Sequence, residues 1–194
     1  MVTIHIHTKH GRVVKYKFEG RSAEMFHTDR LQIRKYTMDD LQFYASLWGN
    51  EKVMRYIGNG TLKTYMQCKK SLEEWVIPSY KNGLGLFVLI EKETGIRIGH
   101  AGLVKQQIDG KEEIEIEIGY WLLPQYWGKG YAKEAAAAFR DYGFQALRMN
   151  KLISLINPDH PASIFVARKT GLSYEKTTSF HGMDVLVYSI KRVG

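Results

Sequence analysis

The segment at 122–139, LLPQYWGKGYAKEAAAAF, limits what this chain can fold into more than any other. It passes from an apolar strand end through a proline and two glycines into an alanine-rich helix. Pro124 has no N–H to give a ladder, so strand pairing is predicted to end near Leu123. The run from Ala135 to Ala138 lets the following helix lie close on a sheet. A strand, a loop carrying Gly128 and Gly130, and then a helix N-terminus form a geometry in which free N–H groups and the positive end of the helix dipole converge on an anion, usually phosphate. Glycine lets the backbone approach such an anion closely. Two familiar phosphate loops can be tested against these letters. A Walker loop fails because Leu123 stands where its first glycine belongs and Gly130 follows Lys129 in place of Ser or Thr. A dinucleotide fingerprint fails because Lys133 occupies its third glycine.

The rest of the chain surrounds this unit with alternating strands. Residues 2–18 alternate on both sides of KHG and predict a β-hairpin. RLQIRKY reads as a strand leading to Thr37, which with Asp40 forms a capping-box-like start for a helix over 38–48. A second helix is expected over 61–80, ended by PSYKNG. Two strands follow about the turn KETG, and KEEIEIEIGYWLL gives a long third. Beyond the 122–139 unit, KLISLIN predicts a strand, PASIFVARKTG a helix stopped by Gly171, and LSYEKTTSFHGMDVLVYSI a closing hairpin about His181 and Gly182. The sum is a mixed α/β (α+β) sheet, mostly antiparallel, with no regular βαβ repeat.

Size and charge narrow the function. At 194 residues with 44% hydrophobic content, the chain suits one main domain. No apolar run approaches a membrane span and the N-terminus lacks a signal-peptide core, so a cytoplasmic protein with no membrane partner is expected. The single cysteine, Cys68, excludes an internal disulfide and reads as a small apolar filler. The net charge of +8 invites a nucleic-acid reading, yet the lysines and arginines are scattered and accompany no helix-turn-helix, zinc-finger or RNA-binding motif. A phosphate-bearing small molecule explains part of the excess equally well. His5, His7 and His10 could meet a metal, but an exposed alternating hairpin explains them without one, and no metal is expected.

Gln125-x-x-Gly128-x-Gly130 resembles the acyl-coenzyme A loop of the GNAT superfamily of N-acetyltransferases. TDRLQIRKYTMDDLQFYASLWGNEKVMRYIG, EIGYWLLPQYWGKGYAKEA and NPDHPASIFVARKTGL resemble, in order, successive segments of its RimJ/RimL-like branch, the ribosomal-protein N-acetyltransferases and their relatives. The resemblance spans about 28–192. Residues 1–27 lie outside it as an N-terminal hairpin extension of the domain at 28–194. It implies a sheet that splays beside the cofactor loop so that pantetheine adds to the gap almost like a strand. Acetyl-coenzyme A would then be held by Leu122, Leu123, Gln125, Trp127, Gly128, Lys129, Gly130, Tyr131, Ala132 and Asn157, with an amine as acceptor.

Acetyl transfer needs a neutral amine, a stabilised oxyanion and a proton for the departing thiolate. A primary amine with a pKa of about 10 is mostly protonated at neutral pH, so a carboxylate acting directly or through water helps. Glu113, Glu115 and Glu117 share one face of their strand. The first two read as its polar side, whereas Glu117 matches the family's acidic position in E-I-G-Y and is the candidate base. The main-chain N–H of Leu122 is the candidate oxyanion donor. Ser163 matches a family serine near the coenzyme sulfur. Trp48, Tyr56, His181 and Asp184 fall where the family shapes its acceptor site. The expectation is direct attack in a ternary complex. A non-catalytic acyl-coenzyme A sensor is the alternative, and the hairpin is a candidate subunit contact for a homodimer.

Overall fold

A computed structural model describes residues 2–7, 13–18 and 24–192, with side chains from Phe26 onward. Strands β1 (Val2–His7) and β2 (Val13–Phe18) pair antiparallel as their own two-stranded sheet, from Val2 opposite Phe18 to His7 opposite Val13. The predicted tip of this hairpin and His10 lie outside the described residues. The main sheet has eight strands in the order β3-β4-β5-β6-β7-β8-β10-β9. They are β3 (Glu24–His27), β4 (Leu31–Lys35), β5 (Gly85–Glu91), β6 (Arg97–Gln107), β7 (Ile114–Leu122), β8 (Lys151–Ile156), β9 (Ser173–Phe180) and β10 (Met183–Lys191). Every neighbouring pair is antiparallel except β7 with β8. The mixed, mostly antiparallel sheet expected from the letters is therefore present.

Strand β3 was not foreseen. It pairs with β4, and Phe26 is buried against Phe139 and Tyr142 at centroid distances of 5.3 and 5.8 Å. The expected division between 27 and 28 thus falls at the end of a core strand, and β3 packs with the sheet. Its four residues are too few to show a period of two.

Alternation along the central strands divides the core into two layers. Leu86 and Val88 face helices α1 (Leu41–Trp48) and α3 (Tyr65–Ser71), together with Tyr44, Cys68 and Leu72. Phe87 and Leu89 face α5 (Tyr131–Gln145), where Ala135, Ala136, Ala138 and Phe139 are buried. Cys68 is fully buried, in keeping with a filler.

The start of α1 is anchored by Asp40, which accepts from the Thr37 N–H (3.0 Å) and from both terminal nitrogens of Arg34 (2.7 Å each). Between α1 and α3 lies the one-turn helix α2 (Glu51–Met54). The helix expected from residue 61 begins later. Thr64 Oγ1 accepts the Gln67 N–H while Gln67 Oε1 accepts the Thr64 N–H, and this capping box fixes Tyr65 as the first helical residue. Residues 61–63 remain irregular. Beyond α3 the backbone continues through a π-helical turn (Leu72–Val76) into α4 (Ile77–Ser79). Pro78 has no N–H for an α-helical bond back to residue 74, which accounts for the irregular winding before it.

The last hairpin turns at His181 and Gly182, both with positive φ (50° and 75°), as a two-residue primed turn requires. Asp109, in the β6–β7 turn, accepts from Ser179 Oγ and the Gly182 N–H and holds this turn in place. Its carboxyl lies below the usual carboxylate range, chiefly through the Gly182 bond and then that of Ser179.

Candidate active site

Strands β7 and β8 meet at one register position, Glu117 opposite Ile153, and then diverge. The pairing of β7 with β6 shows what faces the gap. Leu123 N–H donates to Ile98 O at 2.9 Å, so the alternation of an antiparallel ladder turns the backbone groups of Trp121, Gly119 and Glu117 toward β6. Those of Ile118, Tyr120 and Leu122 turn toward β8. Leu122, the candidate oxyanion donor, therefore presents its N–H to the opening. The amide of Leu123 is already committed to Ile98, which removes it as a donor to pantetheine.

Side chains cap the ladder where it stops. A continued parallel ladder would join the Leu155 N–H to Ile118 O. Instead Leu155 N–H donates to Glu117 Oε1 (3.3 Å), and Ser154 Oγ donates to Ile118 O (3.1 Å). Glu117 Oε2 accepts from Gln106 Nε2 at 2.6 Å. Burial pushes the Glu117 carboxyl above its usual range, and the bonds from Gln106 and Leu155 offset part of that rise. Glu115, two residues earlier, is instead ion-paired to Lys151 at 2.8 Å.

Six of the expected residues line one cavity of about 620 Å³ on the α1/α3 side of the sheet: Trp48, Tyr56, Glu117, Asn157, His181 and Asp184. Trp48 comes from the end of α1, and Tyr56 from the loop after α2. The Tyr56 ring stacks on His160 at 4.4 Å, which ties that loop to the segment that follows β8. Asn157 Oδ1 accepts the Asp159 N–H (2.9 Å), a local turn at the strand end. His181 and Asp184 come from the closing hairpin.

Ser163 stands apart from this group. It lies in α6 (Pro161–Lys169) and shares a 2.8 Å hydrogen bond with the Tyr120 hydroxyl. Tyr120 and Glu117 differ by an odd number of residues and so project to opposite faces of β7. Burial pushes the Tyr120 phenol up to about 12, with the Ser163 bond opposing it, so the hydroxyl keeps its proton at physiological pH.

The loop beyond β7 has few internal partners. Gly130 caps α5 in the left-handed conformation (φ 85°) and, as a glycine, offers no side-chain acceptor to the first N–H groups of that helix. Gly128 is also left-handed (φ 73°), and a Cβ placed there would meet nothing within 4 Å. Gln125, Trp127 and Lys129 are exposed. Trp127 Nε1 donates to Leu122 O at 2.7 Å, and Arg30 bonds the Lys129 carbonyl at 2.9 Å, which fixes the loop from both ends. Ala132 is half-buried. The Tyr131 side chain turns away, its hydroxyl bonding Glu91 and its ring lying under the Arg30 guanidinium, so only its backbone faces the loop. Open N–H groups, two left-handed glycines and a nearby lysine suit a pyrophosphate.

Gln106, Tyr120, Trp121 and Leu155 were not singled out beforehand. Tyr120 and Trp121 directly follow the E-I-G motif, so their position was visible. Gln106 was not, because its bond to Glu117 depends on the β6–β7 register, in which it sits diagonally opposite. Among the described residues no group of three or more His, Cys, Asp or Glu could hold a metal ion.

Residues 30–173 match the acetyltransferase (GNAT) domain family. The chain is 35% identical to the uncharacterized protein YkkB of Bacillus subtilis, with 84% of this chain and 94% of the relative covered. It is 30% identical to the uncharacterized N-acetyltransferase p20 of Bacillus licheniformis, over 86% and 96%. A GNAT-family acetyltransferase structure from Bacillus anthracis superposes with a TM-score of 0.69 at 27% identity, covering 85% of this chain and 96% of that one. Structures described as the ribosomal acetyltransferase RimL with coenzyme A and as a Vibrio cholerae spermidine N-acetyltransferase with coenzyme A and spermine share the fold at TM-scores of 0.70 and 0.69, but at 16% and 19% identity. These neighbours spread over several acceptor types and do not select the RimJ/RimL-like branch. The strand opening, the glycine loop and the family match converge on one assignment: this chain is a GNAT-family acetyltransferase.

Proposed function

We propose that the protein moves an acetyl group from acetyl-coenzyme A to a primary amine by direct attack in a ternary complex. The observation that carries this reading is the opening between β7 and β8, with the Glu117 carboxylate at its apex and the glycine loop at its far end. Acetyl-coenzyme A, when bound, supplies an activated thioester. The N–H groups of 128–132 and the Lys129 charge would cradle its pyrophosphate, with Gln125 and Trp127 beside them. The backbone of Tyr120 would bond the pantetheine arm in the gap, where Asn157 ends the opposite strand.

The acceptor enters from the cavity side. Glu117, with its pKa raised by burial, is a better-matched base at neutral pH than an exposed carboxylate and takes a proton from the ammonium directly or through water. The Leu122 N–H faces the position where negative charge develops on the carbonyl oxygen. On the opposite face, the Tyr120–Ser163 pair gives a proton to the departing thiolate and is restored, through water, by the second proton that the nitrogen loses as the amide forms. Base and acid thus lie on opposite sides of the opening, as an attacking and a leaving group require. Cys68 offers no covalent route, since it is buried in α3 and burial raises its pKa.

The test is thioester consumption by the purified protein with a panel of peptides, polyamines and aminoglycosides, with the product mass identifying the acetylated amine. Coenzyme A binding without turnover of any acceptor would replace the enzyme with a sensor.

A further inference from the structure

The charges in the acceptor cavity are few and lie apart. Glu117 lies at its sheet wall, held by Gln106 and the Leu155 N–H. Asp184 stands exposed on the closing hairpin. The cavity's cation is Lys63, in the irregular stretch before α3 that the Thr64 capping box keeps out of the helix. Its Nζ lies 3.6 Å from the centroid of the Trp48 ring, and its backbone N–H donates to the Trp48 carbonyl at 3.1 Å. Among the described residues it forms no ion pair. The ring face attracts the charge but accepts no conventional hydrogen bond, so the ammonium retains donors without an acceptor. Burial lowers its pKa, the mark of a cation partly removed from water without a carboxylate to offset the loss. Trp48, Trp75 and Trp121 supply broad apolar surface to the same cavity.

A polycation fits this arrangement poorly. It would bring further ammonium groups into a space that already contains one, with Glu117 engaged by the reacting nitrogen and only the exposed Asp184 left to pair with them. An anion beside Lys63 would supply the missing acceptor, and the aromatic walls would carry the framework linking it to the amine.

We infer that the preferred acceptor is an amine whose apolar framework carries an anionic group away from the reacting nitrogen, with Lys63 binding the anion and Glu117 facing the amine. This rests on the acetyltransferase reading above and names its substrate class.

Matched pairs test it in the full-length protein at saturating acetyl-coenzyme A: 4-(aminomethyl)benzoate against 4-methylbenzylamine, and 6-aminohexanoate against hexylamine, with spermidine as the polycation. The anionic member of each pair is expected to have a kcat/KM higher by on the order of tenfold, the worth of one charge-assisted hydrogen bond. Lys63→Met should bring the ratio toward one, and Lys63→Arg should keep most of it. Coenzyme A affinity measured by calorimetry on each variant reports that it is folded. Neutral amines or spermidine outrunning the anionic amines, or a ratio that survives in Lys63→Met, overturns the inference and leaves the acetyltransferase reading standing. No turnover of any amine despite coenzyme A binding overturns both.

Discussion

Glu117 Oε1 takes the Leu155 N–H at 3.3 Å, a donor that a continued β7–β8 ladder would give to Ile118. The carboxylate is therefore placed by the same backbone divergence that opens the sheet between β7 and β8. It sits at the apex of the opening with one oxygen on Leu155 and the other on Gln106.

The first prediction concerns that carboxylate. Glu117→Gln keeps the shape but exchanges one acceptor for a donor, and should lower kcat by roughly 10²–10⁴-fold at neutral pH. The loss should shrink at high pH, where more of the amine is already neutral. Burial raises the Glu117 pKa, so wild-type turnover should climb as pH rises through that raised value. A pH–rate profile checks this. A loss that is equal at every pH would make Glu117 a strand-orienting residue.

A second prediction concerns the loop. A Cβ at Gly128 meets nothing within 4 Å among the described residues beyond its chain neighbours, and the left-handed φ costs about 1–2 kcal/mol of backbone strain. Gly128→Leu should therefore fold, yet bind coenzyme A at least tenfold more weakly because its side chain projects where the pyrophosphate would lie. Calorimetry and denaturant titration measure the two effects separately. Unchanged affinity would move the cofactor elsewhere.

The Tyr120–Ser163 pair gives a third. If the two hydroxyls relay one proton, Tyr120→Phe and Ser163→Ala should each lower kcat by about 10²-fold, and the double variant should lose little more than either single one. Additive losses would show that the two act separately. Single-turnover kinetics distinguishes a slower chemical step from slower product release.

Much of the architecture was legible because its signals are local. Alternation in residues 114–122 marks β7, Pro124 and the paired glycines mark the loop, and Thr37 with Asp40 marks a helix start. What escaped depends on register or on long-range packing. Gln106 reaches Glu117 only through the β6–β7 alignment, and β3 is held by Phe26 against helix α5, more than a hundred residues away. The late start of α3 follows from the Thr64–Gln67 capping box, a signal present in the letters that the expected start at 61 passed over. Lys63 gains its significance only once that start is fixed.

The N-terminal hairpin gives a fourth prediction. It forms a sheet of its own, with β2 alongside β3 at the edge of the main sheet and far in sheet order from the opening between β7 and β8. Removing residues 1–18 should change stability or oligomeric state while coenzyme A affinity stays within about twofold of the full chain. Light scattering, thermal unfolding and calorimetry read these separately. A truncated protein with unchanged stability and assembly but lost acceptor turnover would place the hairpin over the acceptor site.

The last prediction is a pH dependence of stability centred on His100. The ring is 1% exposed and lies among Tyr44, Trp48 and Trp121, with Nδ1 bonded to the Tyr36 hydroxyl at 3.0 Å and Nε2 without a hydrogen-bond partner among the described residues. Burial, with a smaller contribution from the Lys63 charge, lowers its pKa from 6.5 to about 3. The folded protein thus keeps His100 neutral while the unfolded chain protonates it below about pH 6.5. Stability from this group is complete above that pH and is lost as pH falls toward 3, at up to about 1.4 kcal/mol per pH unit. Urea titrations at pH 7.5, 6.5 and 5.5 should show unfolding free energy falling over the last interval. His100→Gln should be less stable at pH 7.5 because Tyr36 loses a well-placed partner, yet should fall less between pH 6.5 and 5.5. Equal slopes for the two proteins would mean that His100 takes up its proton within the folded state, through an opening of the Trp48–Trp121 wall toward the acceptor cavity.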